Sequence, residues 1–207
     1  MVPFFVDENP YANGIVPNIN ALASALRGAG GCVAWVLPAP SPTAAMQEFF
    51  GEHIAARYQK SGGDGPLPRR LSAELTTHPD DIFVEKAAAS AFFPDTCDLS
   101  VQLDQRGVDT VMVAGTVANV CCESTARDAS TLGYRTIMVA DANRDHDLNA
   151  TPHTVYRSFG DVRPTDELLH LLGRLLSALD QAGKTSTAGG SASVTKCNSC
   201  TARVIAT

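Results

Sequence analysis

Of the six cysteines in this 207-residue chain, Cys121 stands where a thiol is best placed to do chemistry. It follows residues 110–114 (TVMVA), an apolar run that reads as a buried strand, and it opens a helical stretch, 121–132, closed by Gly133. The first amides of a helix have no intrahelical acceptor, and the dipole there is positive. Both features favour a thiolate and can hold an oxyanion, so a cysteine at this point can attack a carbonyl carbon. Gly115 lets the backbone turn sharply off the strand. The same place equally suits a buried structural cysteine, the commonest fate of a free thiol. Lys86 ends a second short strand, 81–86 (DIFVEK). A partly desolvated ammonium at a strand end can stabilise a neighbouring thiolate, although a surface lysine past a strand is the more common arrangement.

The elements that must position these residues follow from periodicity. Residues 15–30 read as an amphipathic helix with Ile15, Ile19, Leu22, Ala23 and Leu26 on one face. Residues 32–37 (CVAWVL) read as a strand buried on both faces. The pattern predicts a helix over 44–58, a Gly/Pro-rich loop over 61–70 and a helix over 99–106. It further predicts a strand over 135–140 (RTIMVA) and an apolar closing helix over 164–179. Strands alternate with helices, so the expected fold is α/β: a three-layer sandwich around a mainly parallel, doubly wound sheet. Ligands in such folds bind at the carboxyl ends of strands, where Lys86, the 115–120 loop and Asp141 fall. The expected domain is 1–181. Residues 182–207, rich in Gly, Ser and Thr, are expected to form a mostly disordered tail.

Composition excludes several classes. The net charge of −6 argues against a nucleic-acid or anionic-membrane surface. No apolar run is long enough to span a bilayer, and the first residues lack a signal-peptide pattern, so a cytoplasmic protein is expected. The cysteines are scattered through a chain large enough to build its own core, which is not a secreted disulfide framework. Cys197 and Cys200 form a CxxC without a second pair, and Asp145-His146-Asp147 lacks further ligands, so no metal and no cofactor is expected. Cys122 and Arg127 read as structural.

The segment 115–142 contains GTVANVC, then ESTARDA, then GYRTIMVADA. It resembles the signature of the isochorismatase-like cysteine hydrolases. Upstream, VEKAAASAFFPDTCDL resembles that family's lysine motif, and FGDVRPTDELL (159–169) resembles its last strand and helix. The resemblance spans residues 10–179. It implies Cys121 as nucleophile, Lys86 as its electrostatic partner, a cis peptide between Thr116 and Val117, and an oxyanion hole from the amides of Val117 and Cys121. It implies hydrolysis of a small-molecule amide or ureido bond through an acyl-enzyme, with no nucleic-acid or membrane partner, and a homo-oligomer, dimer or tetramer. Phe4, Phe5, Trp35, Phe92 and Phe93 flank the predicted strand ends and are candidate pocket linings; Phe5, Trp35 and Phe92 are preferred.

Two departures matter. The family's nicotinamidase branch carries an Asp-x-His metal pattern after the second strand, whereas LPAPSPTAAMQEFF has no histidine before His53. The family's general-base Asp ends the first, central strand, and Met1 matches the residue after that Asp. Strand and base are therefore expected to be absent, exposing the edges of two neighbouring strands. One reading places the true start upstream of Met1. The other is a hydrolytically weak chain acting as a binding or oligomerising module.

Overall fold

A computed structural model describes residues 1–7, 9–39, 44–144, 154–186 and 202–206. Its centre is a parallel sheet of β1 (Val33–Pro38), β2 (Ile82–Lys86), β3 (Thr110–Thr116), β4 (Arg135–Arg144), β5 (Asp161–Arg163) and β6 (Ala202–Ala206), in the order β2-β1-β6-β3-β4-β5. The helices are α1 (Pro3–Val6), α2 (Pro10–Asn13), α3 (Val16–Gly28), α4 (Ala44–Phe50), α5 (Glu52–Ser61), α6 (Leu99–Asp104), α7 (Glu123–Thr131) and α8 (Thr165–Ser186).

Side chains alternate along a strand, so each strand feeds two cores. Trp35, Leu37, Met112, Ala114 and Val139 pack with Ile19, Leu22 and Leu26 of α3 and Leu168 and Leu172 of α8. Ala34, Val36, Val84 and Val111 face the other way, onto Leu99 and Leu103 of α6 and Ala129 of α7. Val113 and Met138 extend that second layer against Cys122 and Ala126. Each large aliphatic side chain buried this way contributes about 1.5–3 kcal/mol. The result is the expected three-layer α/β sandwich.

Four expectations are corrected. The helix predicted over 44–58 is two helices, because Gly51 sits at φ 84°, a conformation that only glycine adopts without strain. The strand predicted over 135–140 continues to Arg144. Asp141 therefore lies inside it, and its Oδ1 accepts from the Thr165 amide and hydroxyl at 2.7 Å each, fixing the start of α8. The slot expected to be vacant between β1 and β3 is occupied by β6. The tail expected from residue 182 meets α8, which runs to Ser186, and β6 at 202–206. The remainder of that tail, with Cys197 and Cys200, lies outside the described residues, as does Asp145-His146-Asp147.

Candidate active site

β3 ends at Thr116, and the next peptide, Thr116–Val117, is cis. The chain then winds through one wide π-helical turn, Ala118–Cys122, before α7 begins. The amides of Val120, Cys121 and Cys122 all point at the Val117 carbonyl, at 3.2, 3.0 and 3.3 Å. The helix thus opens three residues earlier than the sequence pattern indicated, and Cys121 sits inside its first turn. This corrects one expectation: the Cys121 amide is turned onto Val117 rather than left free as an oxyanion donor. Cys121 itself is half-buried, whereas Cys122 is fully buried among Val113, Ala126 and Met138. Gly115, at φ 134°, provides the departure from the strand.

Lys86 closes β2 and is only 4% exposed. Its ammonium donates to the Ala89 carbonyl in the loop that follows. That loop is tied to the cysteine's helix: the Ala91 amide donates to Thr125 Oγ1 on α7 at 3.1 Å. Met1 lies within charge range of both Cys121 and Lys86. Its buried amino group feels the charge of Cys121, Lys86 and Cys122, and its pKa is pushed down to about 6, mainly by desolvation. The Met1 carbonyl accepts from the Ser72 amide at 3.1 Å, anchoring the residue there. Sequence reasoning treated Met1 only as a boundary. A buried, apolar residue at a strand-end crevice carried no local signal of its own.

Cys97 lies within charge range of Lys86, and burial pushes its pKa up. Arg127 pairs with Glu123 at 2.6 Å and stacks over Phe159 at 4.2 Å, which is a structural role.

The aromatic candidates divide. Phe5 lines a cavity of about 260 Å³ together with Phe4, Ile54, Arg57 and Tyr58, between α1 and α5. Trp35 enters the core instead. It is fully buried, and its indole N–H donates to Asp81 Oδ2 at 2.7 Å, a carboxylate that also clamps Arg27. Phe92 is likewise a core residue, stacked on Tyr134. Phe93 is exposed and Phe4 half-exposed. Ile54, Arg57 and Tyr58 were missed, although their i, i+3, i+4 spacing on α5 places them on one helix face. Among the described residues, no three His, Cys, Asp or Glu side chains gather closely enough to hold a metal ion. Among the same residues, no helix is long and apolar enough to cross a membrane.

Comparison with known proteins converges on one family. The isochorismatase domain model matches residues 1–160. An uncharacterised isochorismatase family protein, YwoC of Bacillus subtilis, is 32% identical over 161 residues, covering 75% of this chain and 82% of that protein. The ureidoacrylate amidohydrolase RutB of Variovorax paradoxus is 34% identical over 131 residues, covering 60% of this chain and 47% of that enzyme, so the match spans about half of its length. Among solved structures, a cysteine hydrolase from Pseudomonas syringae pv. phaseolicola superposes with a TM-score of 0.71 at 27% identity, over 84% of this chain and 90% of that one.

Proposed function

The chain belongs to the isochorismatase family, and on that premise we propose that it hydrolyses the C–N bond of a small amide or ureido compound with Cys121 as nucleophile. The observation that carries this reading is the turn after β3. A half-buried thiol stands in the first turn of a helix, shortly after a cis peptide, with a buried lysine at the end of another strand of the same sheet.

In this reading the Cys121 sulfur attacks the substrate carbonyl carbon, and the C=O electron pair moves onto oxygen. The Lys86 ammonium supplies positive charge beside the sulfur, and the Val117 amide is the donor nearest the developing oxyanion. Collapse of the tetrahedral intermediate breaks the C–N bond, and the nitrogen leaves with the proton given up by the Cys121 thiol. The acyl group remains on sulfur until water adds to the same carbonyl and expels the thiol. The cavity between α1 and α5 is mainly apolar, and Arg57 is the one charged residue among its described lining residues; neither Cys121 nor Lys86 is among them, so this cavity does not carry the reading. The relative named for ureidoacrylate hydrolysis supports the ureido class.

The test is amine or ammonia release from a panel of ureido acids and simple amides, followed by mass spectrometry of the quenched enzyme. Turnover with an acyl adduct on the peptide bearing Cys121 is the expected result. Turnover undiminished in Cys121→Ala would overturn the reading.

A further inference from the structure

The sheet is two half-sheets joined by one strand. β2 and β1 form one half, and β3, β4 and β5 form the other; β1 and β3 each bond to β6 and not to each other. Along one edge of β6 the register is Val33 with Val204, Ala34 with Ile205, and Trp35 with Ala206. Along the other it runs from Thr110 with Ala202 to Ala114 with Ala206. The two proposed site residues sit on opposite sides of this seam. Lys86 ends β2, and Cys121 follows β3.

Physical consequences follow from that placement. Neighbouring strands are about 4.8 Å apart, so β6 holds β1 and β3 about 10 Å apart. Without it, the facing backbone groups of both strands lose their partners in a buried setting. The seam cannot simply close. Closing it would move Lys86 by a strand width relative to Cys121 and would disrupt the packing of α3 across both halves. Ala206, the last residue of β6, lies beside Ala114, two residues before the cis peptide.

We propose that residues 202–206 are a positioning element of the active site, and that docking of this carboxyl-terminal strand into the seam sets the spacing of Lys86 and Cys121. The site is therefore complete only while this segment is held. This rests on the reading of Cys121 and Lys86 given above, and the two fail separately.

Amide hydrogen exchange on the full chain tests the docking. Residues 202–206 should exchange at least ~100-fold more slowly than the same sequence as a free peptide, in step with 110–116. Exchange at the free-peptide rate would overturn the proposal. A second experiment tests positioning. A protease site is introduced between residues 187 and 201, the folded protein is cleaved, and the released segment is separated under mild denaturant. After return to buffer, the iodoacetamide rate at Cys121 should drop to that of Cys97, and adding the peptide back should restore it. An unchanged rate at Cys121 after loss of the peptide would overturn the proposal. If Cys121 is not selectively reactive in the intact chain, the hydrolase reading fails, while hydrogen exchange still decides the strand.

Discussion

β3 and β6 are neighbours in one sheet, bonded to each other along the length of β6, yet they come from opposite kinds of sequence. β3 is a run of apolar and small residues, TVMVAGT, buried almost throughout and ending in the turn that presents Cys121. β6 is a short ARVIA segment beyond a stretch rich in Gly, Ser and Thr. One strand declares itself by composition. The other is defined by the two strands it lies between, whose inward backbone groups require a partner. In the reading proposed above, chemistry and architecture are divided between adjacent strands: β3 leads to the proposed nucleophile, and β6 holds the frame between it and Lys86.

Three substitutions can break or sharpen that contrast. Cys121→Ala, in the turn after β3, should lower kcat by ~10⁴-fold or more, read from amine release, because the other thiol of that turn, Cys122, is fully buried in the core. Lys86→Ala, across the seam, should cost ~10²–10³-fold in kcat/KM by removing the buried positive charge. Val204→Pro removes one ladder donor from the middle of β6 and should destabilise the protein by ~3 kcal/mol or more in denaturant unfolding. That compares with ~2–5 kcal/mol for Met112→Ala on β3. If Val204→Pro left the unfolding midpoint in place, β6 would not be the partner of β3.

Much of the site was legible because it is local. A buried strand, a glycine, a short loop and a cysteine lie within a dozen residues, and Lys86 ends its own strand. The three-layer arrangement followed from alternating periodicities. What escaped was non-local. Trp35 and Phe92 stand near strand ends like Phe5, and only the alternation of faces decides that they enter the core. There the Trp35 indole is satisfied by Asp81, 46 positions away. The commitment of the Cys121 amide to Val117, an i→i−4 bond, depends on a helical turn that opens at Ala118, before the apolar pattern begins. β6 escaped because its pairing is set by residues 33–35 and 110–114. Its own pattern is too short to distinguish from the stretch before it.

The central claim is that the turn after β3 makes Cys121 chemically unlike the other thiols of the described fold. Competitive iodoacetamide labelling at pH 7, with peptide-level mass spectrometry, measures this directly. Cys121 should be alkylated far faster than half-buried Cys32, and faster still than Cys97, whose thiol pKa burial pushes up. Equal rates at the three cysteines would contradict it.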